Sequence, residues 1–143
     1  MAPRYLATLF LGLAIAACAR TPDDQAIRGA IAETAAAIEA RRGSDVLDIV
    51  SADFIGNDGI DRDGLRDLLR ARLLAANAVG VHVGSVDVDV RGDRAIARFD
   101  AVITDTSGRW IPDRMETLHF ETGWRREGRD WHCYNANWSS DAR

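Results

Sequence analysis

Apolar and polar positions along the chain follow two periods, and the change between them comes near Gly80. Before it, apolar residues recur every three or four positions, the spacing of one helix face. Ile27, Ile31, Ala35 and Ile38 predict a first helix from Asp23 to about Arg42. Thr21 would be its N-cap, Pro22 its first helical residue and Asp23 and Asp24 the acids of its first turn. Arg41-Arg42-Gly43 supplies cations and a glycine to end it. Ser44-Asp45 restarts a short, buried helix carrying Val46, Leu47, Ile49, Val50 and Phe54. Gly56-Asn57-Asp58-Gly59 is a turn, and Asp61 caps a third helix with Leu65, Leu68, Leu69 and Leu73 inward and Arg62, Arg66 and Arg70 outward.

Beyond Gly80 the alternation is that of strands, expected over 81–90, 94–104, 109 or 110–126, and 129–138. Arg91-Gly92-Asp93, Thr106-Ser107-Gly108 and Glu127-Gly128 are the hairpin turns between them. Val81 and Val83 have the opposite parity to Val86, Val88 and Val90, which a bulge near Gly84-Ser85 reconciles. Ala97, Phe99, Ala101 and Ile103 oppose Arg98 and Asp100, and Leu118, Phe120 and Trp124 oppose His119 and Glu121. One sheet face is therefore mostly apolar and the other wetter. Three helices followed by an antiparallel meander make an α+β domain, with helices packed on one face of a sheet of four strands or more.

The N-terminal run Leu6 to Ala17 follows Arg4 and ends at Cys18. It is too short for a membrane span, which needs about 20 apolar residues, and has the basic start and small-residue end of an export signal. An ordinary secretory signal or a retained short anchor would also fit these features. Ile15-Ala16-Ala17-Cys18 resembles the lipobox of bacterial lipoproteins. The resemblance implies cleavage after residue 17, acylation of Cys18 and residues 18–22 as a lipidated cysteine with a short tether. It also implies a cell-envelope protein held to the membrane by lipid. Ala19 in second place resembles the outer-membrane sorting pattern, so that membrane, facing the periplasm, is the expected site.

Removing residues 1–17 leaves one domain of ordinary size, expected over 23–139, with 140–143 as a C-terminal tail. The net charge of −4 is spread through interleaved acids and arginines, without the basic stripe of a nucleic-acid binder. All 18 basic residues are arginine, which removes Schiff-base chemistry and the phosphate-loop lysine. With Cys18 committed to lipid, Cys133 has no intrachain partner, and its place inside a strand suits a small buried hydrophobe.

Leu47-Asp48-Ile49-Val50-Ser51-Ala52-Asp53-Phe54 as the end of the second helix, and the hairpin Glu121 to Trp131, resemble the nuclear transport factor 2-like superfamily, which includes SnoaL-like and ketosteroid isomerase-like proteins. The resemblance spans about Asp23 to Trp138. It implies a cone in which the sheet wraps the first helix and leaves a central pocket, and relatives that dimerise through the outer sheet face. Arg98, Asp100, His119 and Glu121 would make that face polar and self-complementary. Some relatives are isomerases, dehydratases, hydrolases or cyclases with an Asp, His or Tyr in the pocket. Asp58 lies in the segment that carries the catalytic Asp of ketosteroid isomerases but off its spacing, and no Tyr stands on the first helix to serve as oxyanion donor.

As candidate general bases the chain offers Asp58, which equally fits a turn, and His82. His82, Phe99, Trp124, Asn135 and Trp138 are the candidate pocket lining. Trp131/Cys133 and Tyr134/Trp138 are both admissible inward sets on the last strand, so the orientation of Trp138 stays open. His119 and Glu121 share a face, which fits an acid/base pair or a solvated surface. The three histidines lack zinc spacing, and Asp61-x-Asp63-Gly64 fails as a calcium loop because Gly59 and Arg70 fall where carboxylates are needed. No metal and no cofactor are expected. The reading that follows is an envelope lipoprotein that binds a small apolar ligand or a protein partner without chemistry. An isomerase or lyase using a pocket Asp or His, and a homodimeric interaction module, are the alternatives.

Overall fold

A computed structural model of the protein describes residues 21–106 and 114–141; Cys18, Ser107, Gly108 and Trp110 lie outside these. Helix α1 spans Asp23–Glu39. Pro22, and not Thr21, is its N-cap, and the Pro22 carbonyl takes the Ala26 N–H at 2.9 Å as the first bond of the helix. Ile27, Ile31 and Ala37 are the buried stripe. The helix stops before the expected glycine. Arg41, not Gly43, adopts the left-handed conformation, at φ 60°, and Gly43 opens helix α2 (Gly43–Ile49).

What holds Arg41 there is a second helix. Its guanidinium donates to the carbonyls of Leu73 and Asn77, both at 2.6 Å, and of Ala76. Those groups lie at the end of helix α3 (Arg62–Ala75), where carbonyls lack intrahelical partners. At the other end of α3, Asp61 accepts from the Gly64 N–H at 2.8 Å, as its cap position predicts. Arg66 pairs with Asp63, but Arg62 turns inward to the Leu47 carbonyl at 2.9 Å, correcting its expected outward place. It ties α3 to α2.

The segment after α2 leaves the helix: Val50–Gly56 is strand β1. Phe54 is buried from a strand, not from a helix end. Tertiary pairing outweighs local helix propensity here, because β1 finds the free edge of the last strand and Ser51, fully buried, donates to Glu127 Oε1 at 2.7 Å. The remaining strands are β2 (Ala78–Val83), β3 (Asp87–Arg91), β4 (Arg94–Thr106), β5 (Arg114–Glu127) and β6 (Asp130–Ser140). Their order is β1-β6-β5-β4-β2, with β3 also on β4. The sheet thus has six strands, antiparallel except for the β1–β6 pair.

Three irregularities shape it. Val83 pairs with Ala101 and Asp87 with Arg98, so three residues face two around Gly84-Ser85, and Val83 and Val88 share the inner face despite their parity. Gly92 and Gly128, at φ 59° and 66°, stand first in the two-residue turns of the β3–β4 and β5–β6 hairpins. On β6, Gly123 pairs with Asn135 but Trp124 with Cys133, leaving Tyr134 extra. Trp131 and Cys133 therefore face inward before the bulge, and Ala136 and Trp138 after it.

The core gathers Ile27 and Ile31 of α1 with Phe54, Ala95, Ala97, Trp124, Trp131, Cys133 and Ala136. Burying large side chains of this kind contributes about 1.5–3 kcal/mol each before entropy is counted. Polar groups in and beside it find partners: Trp124 Nε1 donates to Thr122 Oγ1 at 2.8 Å, which donates to the Ala97 carbonyl. Cys133 is buried in this core, its thiol pushed up to about 12 by burial. At the sheet edge, α1 side chains occupy backbone groups that another strand would otherwise pair. Glu39 accepts from the Val81 N–H at 2.8 Å and Arg28 donates to the Val86 carbonyl.

Candidate functional site

Strand register sets three aromatic residues side by side on the inner face. Phe99 pairs with Phe120 across β4 and β5, and Phe120 with Trp138 across β5 and β6. The phenyl rings stack at 5.0 Å between centroids and 12° between planes, and Trp138 tilts beside them at 6.4 Å and 37°. All three are half-buried, in contrast to the sealed Trp124 on the same strand face. Ile60 and Leu65 pack from the start of α3 against the core that Phe99 and Trp138 also touch. The four leucines of the α3 stripe are half-buried as well, and no residue of that helix is fully buried.

Trp138 is held from both sides. Asn57 donates through Nδ2 to the Trp138 carbonyl at 2.6 Å and accepts the Trp138 N–H at 3.0 Å, the pair of bonds a neighbouring strand residue would make. Gly56 leaves the indole its space, since a side chain there would meet Trp138 Cζ3 at 3.1 Å and Ile60 at 2.7 Å. Two carboxylates, Asp105 and Glu116, share the inner-face register beyond the aromatic residues, nearer the far end of the sheet.

Displaced proton affinities belong elsewhere. On the outer face Arg125 pairs with Asp53 at 2.6 Å and with Glu127 at 2.5 Å. The Arg125 guanidinium holds both carboxyls below their usual range, with Ser51 also donating to Glu127. His132 Nδ1 approaches Glu127 at 3.4 Å. Arg94 and Arg125 lie over the ring of the bulged Tyr134, at 5.0 and 5.5 Å, and that ring covers Gly123, where a Cβ would meet it at 3.0 Å. Further along, His119 is clasped by Asp100 on Nδ1 at 2.6 Å and Asp141 on Nε2 at 2.9 Å, which raises its pKa. Glu121 is taken by Arg98 at 2.8 Å. His119 and Glu121 therefore serve different partners and form no acid/base pair.

The other candidates separate. Asp58 is exposed in a short 3-10 turn (Asn57–Gly59) at φ 54°, a turn residue. His82 is exposed and pairs with Val102 on the outer face, because its parity is opposite to Val81 and Val83. Neither reaches the aromatic surface, so neither is placed as its general base. Trp124 belongs to the core, and Asn135 points away from it, donating to the Ile55 carbonyl at 2.9 Å. Of the expected lining only Phe99 and Trp138 come together, through Phe120. The alternation Leu118-x-Phe120 was the signal for that third ring. Among the described residues no group of three or more His, Cys, Asp or Glu side chains could hold a metal ion.

Two open-sided clefts, of about 570 and 370 Å³, lie instead beside α1 and α2, sharing Glu33, Asp48 and Ile49. The larger reaches Arg126, Trp131 and His132 on the β5–β6 hairpin. None of the expected pocket residues lines either cleft.

No protein-family model and no curated protein sequence matches the chain. Solved structures do match. A nuclear transport factor 2-like protein with a cystatin-like fold from Novosphingobium aromaticivorans superposes with a TM-score of 0.67 at 20% identity, over 85% of this chain and 84% of that one. The fold is nuclear transport factor 2-like. A protein of unknown function with a cystatin-like fold from Nostoc punctiforme gives 0.71 at 14% identity, over 83% and 91% of the two chains. A hexachlorocyclohexane dehydrochlorinase, LinA-type3, from Novosphingobium barchaimii gives 0.68 at 12%, over 83% and 86%. At these identities the likeness concerns architecture, and nuclear transport factor 2-like folds host unrelated activities. The site must be argued from its own residues.

Proposed function

We propose that this is a lipid-anchored envelope protein, facing the periplasm, whose nuclear transport factor 2-like domain binds a small apolar molecule on the Phe99–Phe120–Trp138 surface without transforming it. The observation that carries the reading is a stacked aromatic surface left half-open on the inner sheet face. Aromatic side chains that the described residues leave partly open offer contact area for an apolar partner. Several groups with displaced pKa values lie away from that surface, which supports binding over chemistry. Asp53, His119, Arg125 and Glu127 project from the opposite face, and Cys133 is enclosed in the core. The lipid anchor is supported by the Ile15-Ala16-Ala17-Cys18 pattern and by the short distance from Cys18 to the first helical residue, Asp23.

Native mass spectrometry of residues 19–143, purified from cells, tests the binding claim. A small molecule retained under gentle conditions, lost on denaturation and absent from Trp138→Ala is the expected result. A protein free of any such adduct, and indifferent to that substitution, contradicts it. An empty dimer favours instead the homodimeric reading, in which the outer face around Arg98 and Glu121 meets a second copy.

A further inference from the structure

The start of α1 is fixed to one end of the sheet. Asp23 accepts from Arg126 Nη2 at 2.6 Å and from Trp131 Nε1 at 3.3 Å, and the Arg126 guanidinium lies over the Trp131 ring at 4.7 Å. The Arg126 N–H donates to the Asp93 carbonyl at 2.9 Å, which binds the β3–β4 turn to the same place. The turns at Gly92 and Gly128 and the first turn of α1 therefore share one end of the domain. β4 leaves that end and runs 13 residues to Thr106, roughly 40 Å at the usual strand rise. The aromatic surface lies part-way along, five residues beyond Arg94 on β4 and eight beyond Asp130 on β6.

From these distances, and resting on the lipid-anchor reading above, we infer that the domain stands with its Gly92 and Gly128 turns toward the bilayer and the far end of the sheet toward water. Five peptide steps separate Cys18 from Asp23 and span at most roughly 18 Å. That is less than half the length of β4, so the far end cannot rest on the membrane with Asp23 above it. The pinning of Asp23 to Arg126 and Trp131 prevents α1 from swinging free to lengthen the tether. The residues of the two turns, Gly92, Asp93, Gly128 and Arg129, are exposed and include no large apolar side chain. The lipid supplies the anchorage, and the turns face the headgroups without inserting. The ligand of the Phe99–Phe120–Trp138 surface then arrives from the aqueous space and not laterally from the acyl chains.

The test uses full-length lipidated protein in phosphatidylcholine vesicles containing a headgroup spin label. A fluorophore is attached in turn to Arg129→Cys, at the β5–β6 turn, and to Met115→Cys, at the exposed far end of β5. Cys133 does not compete for the label, being buried. Quenching several-fold stronger at position 129 than at position 115 is the expected result. Equal quenching, meaning a domain lying flat, or stronger quenching at 115, overturns the orientation while leaving the anchor intact. Intact mass without acyl chains on Cys18, or release of the protein by washing, would overturn the anchor and the orientation together.

Discussion

The two faces of one sheet, built from alternating residues of the same strands, end in opposite states. On the outer face the charges satisfy one another: Arg98 with Glu121, His119 with Asp100 and Asp141, Arg125 with Asp53 and Glu127. On the inner face, the half beneath α1 is sealed around Trp124, while Phe99, Phe120 and Trp138 stack and remain half-open. A surface whose groups already have partners has little left to offer a ligand, apart from exposed pairs of small worth. Aromatic side chains that the described residues cover only in part keep some hydrophobic free energy for whatever covers the rest. On the function proposed above, the contrast divides the inner face into a half that carries stability and a half that carries binding.

Truncating each half in turn is the strongest way to break that contrast. Trp124→Ala should lower the free energy of unfolding by about 3–5 kcal/mol, the range for losing a buried aromatic side chain. Trp138→Ala should cost clearly less stability and abolish apolar-ligand binding. Denaturant unfolding of both variants, set beside ligand titration, reads the two effects, and equal stability losses would erase the distinction. Next in size is Asn57→Ala, which removes both bonds to the Trp138 backbone and should cost about 1–3 kcal/mol. It should also weaken binding, because Trp138 loses its support. Asp61→Ala removes the α3 cap and should cost about 1 kcal/mol by the same unfolding measurement, with binding retained.

The smallest effects sharpen the outer-face side. Nuclear magnetic resonance titration of His119 should place its midpoint above the ordinary histidine value, and Asp141→Asn should move it back down without altering binding. The sign follows from linkage. A raised folded pKa means that the His119 clasp contributes most below the ordinary histidine pKa and is lost as pH rises through the raised value. Asp53 and Glu127 act in the opposite sense. Their lowered pKa values make the Arg125 network stabilising above the ordinary carboxylate range and weaken it as pH falls through the lowered values.

Features set by local chemistry were legible before any coordinates. Asp61 caps α3, Gly92 and Gly128 make the hairpin turns, and conflicting valine parity locates the irregularity at Gly84-Ser85. Features set by distant partners were not. β1 looks helical until β6 provides an edge for it, and Arg41 takes a left-handed conformation because its guanidinium finds the end of α3, far along the chain. The Tyr134 bulge decides Trp138. Without knowing that Gly123 leaves room for the tyrosine ring, the two inward sets on β6 looked exclusive, whereas the extra residue allows both Trp131 and Trp138 to face inward. The alternation puts Phe120 on the same face as Phe99 and Trp138, but that it stands between them follows only from the register of three strands. The irregularity at Gly84-Ser85 also places His82: with Val81 and Val83 inward, its side chain stands exposed on the outer face.

The most direct test of the central claim is binding of a neutral apolar fluorophore, N-phenyl-1-naphthylamine, to the wild-type domain, to Trp138→Ala and to Arg98→Ala. Saturable binding to wild type and Arg98→Ala, lost in a folded Trp138→Ala, is the predicted result. Equal binding by all three proteins would show that the aromatic surface is not the site.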